Sequence, residues 1–175
     1  MYILIGLGNP GKKYAATRHN AGRMLAGWLK AEGRRMKDEG SQIPEGFEIV
    51  ETDCFMNHSG KWIYKLYKNY KGYKSYKNLF IAHDDLDLPL GSFKIHFGRG
   101  PRLHKGILSI EQALGTKDFW RVRIGIEGRR PKAEGRRLSG EDYVLQPFKR
   151  DEKKILVQTF AQISKCIYST PGFGA

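Results

Sequence analysis

Apolar residues along this chain recur with two different periods, and the changes between them predict its elements. Tyr2 to Leu7 is a short apolar run rich in Ile and Leu, the pattern of a strand buried on both faces, and Gly8-Asn9-Pro10-Gly11 stops it with turn residues. From Ala21 the apolar positions fall at Ala21, Met24, Leu25, Trp28 and Leu29, one face of a helix that Thr17 or Asn20 is placed to cap. A polar connection from Gly33 to Gly46 follows, then Phe47–Val50 and Asp53–Met56 as one or two short strands. Asn57-His58-Ser59-Gly60 is the next turn, with Ser59 placed to cap a helix whose apolar side is Trp62, Ile63, Leu66, Tyr67 and Tyr70 and which Gly72 ends.

The second half repeats this logic. Asn78–His83 reads as a buried strand running into the acidic stretch Asp84-Asp85-Leu86-Asp87-Leu88-Pro89, and Phe93–Phe97 alternates like a strand. After a loop from Gly98 to Arg102, a helix over His104–Leu114 buries Ile107, Leu108, Ile110 and Leu114 and ends at Gly115. Val122–Ile126 is a further strand, and Asp151–Tyr168 a last helix with Ile155, Leu156, Thr159, Phe160, Ile163 and Ile167 on one side. The order β-α-β-β-α-β-β-α-β-α predicts an α/β sandwich: a mixed, largely parallel central sheet flanked by helices, in one domain spanning residues 1–175.

That architecture puts chemistry at strand ends, and Asn9 and His19 lie at the first strand-to-helix crossing. Gly6-Leu-Gly8-Asn-Pro-Gly11 also fits the dinucleotide pattern G-x-G-x-x-G. That reading fares poorly, because Pro10 has no N–H to give a pyrophosphate, and the helical period begins about ten residues late. The ribose-binding acid it needs would have to be Glu32, inside a helix. Carboxylates at the end of the third strand invite a metal or acid–base role; a single orienting acid, with the others solvated, is the reading favoured over a metal.

Charge changes the picture more than length does. Lys and Arg number 31 against 18 Asp and Glu, a formal charge of +13, so the chain carries the field of a protein that meets polyanions, nucleic acid first and a membrane surface or plain solubility otherwise. No basic leader and no run long enough to span a bilayer is present, and two distant cysteines, Cys54 and Cys166, suit a reducing compartment and offer no metal spacing; a cytoplasmic protein is expected. Tyrosines at 64, 67, 70, 73 and 76 interleave with lysines, a pattern that either stacks on bases or, as the preferred reading, covers a core flank. Gly128–Arg137 holds five basic residues and one acid, too polar for a core, so Arg129, Arg130, Lys132, Arg136 and Arg137 are candidate phosphate contacts or a solvated loop.

Gly6-Leu-Gly-Asn-Pro-Gly11, Tyr14, Thr17-Arg-His-Asn20, Phe55-Met-Asn-His-Ser-Gly60, His83-Asp-Asp-Leu-Asp-Leu-Pro89, Arg123-Ile-Gly-Ile126 and Asp142-Tyr-Val-Leu145 together resemble the bacterial peptidyl-tRNA hydrolase family, in order and over nearly the whole chain. The resemblance implies a metal- and cofactor-independent, monomeric cytoplasmic esterase that cuts the bond between a peptide and the 3′ ribose of tRNA. It implies His19 as the base that activates water and Asp84 as the carboxylate that holds its imidazole. Asn9, Asn57 and Tyr14 match residues that orient the substrate, and His104 and Lys105 belong to the loop that lines it. That loop departs from the family: Arg102-Leu-His-Lys-Gly106 stands where Gly-Gly-His-Asn-Gly is usual, so Lys105 replaces an asparagine that helps hold the water and the developing oxyanion. The departure motivates an alternative, a hydrolase-like protein that binds RNA without cutting it.

Overall fold

The computed structural model describes residues 1–38, 47–69, 75–101, 103–128, 132–133 and 136–169. Its strands are β1 (Tyr2–Gly6), β2 (Phe47–Glu51), β3 (Leu79–Pro89), β4 (Phe93–Phe97), β5 (Trp120–Glu127), β6 (Lys132–Ala133) and β7 (Arg136–Arg137); its α-helices are α1 (Ala21–Asp38), α2 (Ser59–Asn69), α3 (Lys105–Leu114), α4 (Gly140–Val144) and α5 (Arg150–Ser169). Among the described residues β1 to β5 form one sheet in the order β2-β1-β3-β5-β4, and β6 pairs only with β7. β1, β2, β3 and β5 run parallel, and β4 is antiparallel on the edge. The sheet is therefore mixed and largely parallel, with helices on both faces.

Alternation along the strands decides which helix covers which face. Leu4, Phe80, Ala82, Val122, Ile124 and Ile126 point to one side and pack against Leu25 and Leu29 of α1 and Leu156, Phe160 and Ile163 of α5. Ile3, Ile5, Leu7, Leu79 and Ile81 point to the other and meet Ile63 of α2 and Ile107 and Ile110 of α3. Each such buried aliphatic side chain contributes roughly 1.5–3 kcal/mol of transfer free energy. On that second face β5 presents Arg121 and Arg123, and both are neutralised: Arg121 by Glu111 of α3 at 2.7 Å, Arg123 by Asp85 at 2.6 Å.

Several expectations shift. α1 continues through Gly33 to Asp38, its exposed end carrying a Glu32–Arg35 pair at 2.6 Å three residues apart. Asp53–Met56 is no strand, because the chain turns at a 3₁₀ helix, Met56–His58, and α2 starts directly at Ser59, whose hydroxyl donates back to the Met56 carbonyl. β3 does not stop at His83 but runs on through the acidic stretch. Asp84 and Asp85 are both buried at 2% exposure, so Asp85 is not a solvated acid; it accepts from Arg123 and from the Asp87 N–H at a bulge in the β3–β5 register. Gly115, at φ +67°, ends α3 as anticipated. Tyr67 is buried against Tyr76, while Tyr64 is exposed; Tyr70, Gly72 and Tyr73 lie outside the described residues.

Candidate active site

The site begins with two glycines that let α1 lie directly on the sheet. A Cβ at Gly6 would sit 2.3 Å from the Gly22 carbonyl oxygen, and one at Gly22 would sit 2.0 Å from that of Ala82. The first glycine of the dinucleotide-like run thus serves helix–strand contact, and Gly8 leaves room for the Asn20 side chain. The close approach carries the 3₁₀ turn that precedes α1, Arg18–Asn20, against the middle of β3.

There His19 meets Asp84. His19 Nδ1 lies 2.9 Å from Asp84 Oδ1, and a carboxylate only accepts, so Nδ1 carries the hydrogen and Nε2 keeps its lone pair. The His104 imidazole arrives from the opposite face of the sheet, with Nε2 also 2.9 Å from Asp84 Oδ1. His104 Nδ1 accepts the Ile107 N–H and so caps α3, which makes this the Nε2–H tautomer donating to Asp84. Both of its nitrogens are engaged and its side chain is 4% exposed, so His104 acts on Asp84 and not as a free substrate ligand. Behind it, His83 is fully buried, its ring 4.8 Å from that of His104 and its Nδ1 donating to the Asp84 carbonyl at 2.7 Å.

Electrostatics follows from this layering. Burial pulls the His19 pKa down, but the charge of Asp84 and its hydrogen bond outweigh burial and leave it raised above 6.5, with a smaller downward pull from Lys105. Burial would push the Asp84 carboxyl up, yet the charges and hydrogen bonds of His19 and His104 hold it well below the ordinary carboxylate range. His83 goes the other way: burial, then the neighbouring His104, press its pKa far down and keep it neutral.

His19, Asp84 and His104 bring three possible metal-ligand atoms within 4.8 Å. An ion there would need lone pairs at His19 Nδ1 and His104 Nε2, which are both N–H donors to one carboxylate oxygen. Reversing the His104 tautomer would set its Nδ1–H against the Ile107 N–H. The donor set is that of a hydrogen-bonded carboxylate and does not suit a metal.

Asn9 is clamped twice. The Asn20 side chain accepts the Asn9 N–H at 2.8 Å and donates to the Asn9 carbonyl at 2.9 Å. Asn9 Oδ1 in turn accepts the Met56 N–H at 2.8 Å, which fixes the amide orientation and leaves its NH₂ for a ligand. Tyr14 packs edge-on against Phe55, centroids 6.2 Å apart, and Phe55 is 49% exposed. Asn57 is exposed on its 3₁₀ turn, and its carbonyl accepts the Ser109 hydroxyl. Lys105 is exposed too, and its ammonium pairs with Glu141 of α4 at 2.8 Å. Arg129 and Arg130 lie outside the described residues, while Lys132, Arg136 and Arg137 fall on the β6–β7 pair.

Asn20, Arg18 and Glu141 were not among the site residues read from the sequence. Asn20 could be suspected as a cap, but its side chain turns back to Asn9, and the partners of Arg18 and Glu141 are more than thirty residues away.

The chain is similar to known proteins in family and in fold. The profile of the peptidyl-tRNA hydrolase family matches residues 3–171. A peptidyl-tRNA hydrolase of Thermodesulfovibrio yellowstonii is 35% identical over 95% of this chain and 90% of its own length, and one of Rhodococcus jostii is 40% identical over 88% and 83%. A solved peptidyl-tRNA hydrolase in complex with n-propanol superimposes with a TM-score of 0.72 at 26% identity, over 94% of this chain and 85% of that one. The Acinetobacter baumannii enzyme gives 0.69 at 25% identity.

Proposed function

The chain belongs to the peptidyl-tRNA hydrolase family, and on that premise we propose that it hydrolyses the ester joining a peptide to the 3′ ribose of tRNA, with His19 as the base. One observation carries the reading: His19 Nδ1 donates to the buried Asp84 at 2.9 Å and so leaves Nε2 as a lone-pair base.

Nε2 takes a proton from water as the water oxygen attacks the ester carbonyl, and Asp84 stabilises the imidazolium that forms. The tetrahedral oxyanion needs a donor. The free NH₂ of Asn9 is a neutral one, held in place by Met56 and Asn20, while the Lys105 cation acts on the His19 ring, whose pKa it lowers. Collapse expels the 3′ ribose oxygen, which takes the proton from the imidazolium, giving tRNA and a free peptide acid. General base catalysis of this kind supplies about 10²–10⁴-fold. His104, as a second donor to Asp84 Oδ1, keeps the carboxylate ionised without competing for the water.

Substrate is oriented by Asn9, Tyr14 and Asn57, and the tRNA backbone is met by the basic run Arg129, Arg130, Lys132, Arg136 and Arg137, in keeping with the chain's charge of +13. We take the working unit to be a monomer, one domain over residues 1–175, acting in the cytoplasm where peptidyl-tRNA arises. Among the described residues no helix is long and apolar enough to cross a membrane.

The test is release of peptide from N-acetyl-aminoacyl-tRNA by purified protein in the presence of a chelator. Turnover that His19→Ala removes is expected. Tight, salt-dependent tRNA binding with an intact ester would refute the hydrolase reading.

A further inference from the structure

His19 sits on a single 3₁₀ turn, and something must hold that turn still while Nε2 aims at water. We propose that Arg18 is the positioning residue for His19, fastening the catalytic turn to the start of α5; this rests on the hydrolase reading above.

Arg18 immediately precedes His19, and its side chain is 4% exposed. One guanidinium nitrogen lies 2.6 Å from both Glu152 Oε1 and Glu152 Oε2, and the other donates to the Pro147 carbonyl at 2.7 Å and the Gln146 carbonyl at 3.3 Å. The planar group lies over the rings of Tyr143 at 4.4 Å and Phe148 at 5.0 Å. The main chain follows the same path: Arg18 N–H donates to Gln146, Phe148 N–H donates to Ala16, and Thr17 bridges Pro147. Glu152 Oε2 also accepts the Lys149 N–H at the head of α5, so one carboxylate ties that helix start to the residue beside the base.

Stability alone does not call for this arrangement. A buried ion pair is desolvated on both sides, and a well-packed apolar replacement is often as stable or more so. Here the burial even leaves Arg18 Nε without a hydrogen-bond partner among the described residues. What a fork of directed hydrogen bonds supplies, and an apolar side chain does not, is a fixed backbone position. Displacing the turn by even a fraction of an ångström lengthens the 2.9 Å bond from His19 Nδ1 to Asp84 and swings Nε2 off the water. Asn20, on the other side of His19, anchors to Asn9, so the base is held between two fastened neighbours.

The experiment compares Arg18→Lys, Arg18→Met and Glu152→Gln with the wild type and with Arg121→Met, which breaks another buried Arg–Glu pair that touches neither His19 nor Asp84. For the three clamp variants kcat should fall roughly 10- to 100-fold at nearly constant KM, since a misplacement of about 1 Å costs on the order of 10²-fold. The His19 ring, followed by NMR against pH, should titrate lower than in the wild type, because the pull of Asp84 weakens. Arg121→Met should alter the melting temperature and leave the His19 titration and kcat in place. An unmoved His19 titration with kcat unchanged per folded molecule in the clamp variants would overturn the proposal and make Arg18 purely structural. The ring titration needs no turnover, so it decides the positioning role even if the wild type cuts no ester.

Discussion

Asp84→Asn isolates the charge of the carboxylate from its shape. The amide oxygen of an asparagine can still accept from His19 Nδ1 and His104 Nε2, each now 2.9 Å from Asp84 Oδ1, so the rings need not move. What is lost is a full negative charge beside the ring that becomes cationic. At 2.9 Å and an effective dielectric constant near 20, a unit charge on the facing nitrogen would feel about 6 kcal/mol. The imidazolium charge is spread over two nitrogens and only partly developed in the transition state, so about half of that, roughly 3 kcal/mol, bears on the rate, a loss of about 10²-fold in kcat. The sign on pH is opposite to a simple weakening. Asp84 raises the His19 pKa, so removing its charge lets burial win and lowers it, and the acid limb of kcat/KM moves to lower pH while the plateau drops. The assay is the pH profile of peptide release from N-acetyl-aminoacyl-tRNA for both proteins. A plateau within threefold of wild type, or an acid limb that moves up, would refute the assignment of Asp84 as the group that stabilises the imidazolium.

Other outcomes follow from the same geometry. Asn20→Asp sets an acceptor against the Asn9 carbonyl and should lower stability by about 1–3 kcal/mol, read by urea unfolding, with KM rising as Asn9 loosens. Lys105→Asn removes a cation that lowers the His19 pKa, so at low salt the acid limb should move up and kcat should rise as the base strengthens; Glu141→Gln, which leaves that cation unpaired, should move it down. Replacing Arg136 and Arg137 by serine should reduce the log–log salt slope of tRNA binding by roughly 0.7–0.9 for each phosphate no longer neutralised, read by filter binding across a salt series; an unchanged slope marks the run as merely solvated. His83 is kept neutral when folded but protonates near 6.5 when unfolded, so it makes stability fall below that pH by up to about 1.4 kcal/mol per pH unit. His19, with its raised native pKa, stabilises fully below 6.5 and loses that as pH rises through its folded value, so His83→Gln should leave a profile that no longer falls so steeply on acidification, checked by urea midpoints at several pH values.

The strands and helices were legible because burial imposes a period, and the sheet's two faces made that period visible at Leu4 and Ile5 or Phe80 and Ile81 alike. The failures lie where polar residues are buried by partners remote in sequence. Asp84 and Asp85 look like the end of a strand because two adjacent acids belong in water, and nothing near them announces that His19, His104 and Arg123 will neutralise them from 65, 20 and 38 residues away. α1 likewise outran its apparent stop at Gly33, since a single glycine weakens a helix by only about 1 kcal/mol and the face ahead of it was already docked.

For the site, the sequence showed which residues could do chemistry but not the roles that contacts assign. His104 looked like a loop residue facing substrate. Its place as cap of α3 follows from one N–H, that of Ile107, and that contact turns the imidazole so that its other nitrogen reaches Asp84. The same hydrogen bond explains why the residue at position 105 can vary without disturbing the carboxylate. The cap fixes the backbone at His104, and the first side chain of the helix then projects outward, where Glu141 meets it at the exposed surface. Substitution at Lys105 therefore alters the charge that His19 feels, while the His19–Asp84–His104 arrangement is coupled internally: both rings donate to the one acceptor oxygen, and the carboxylate, buried at 2% exposure, needs both rings to remain charged.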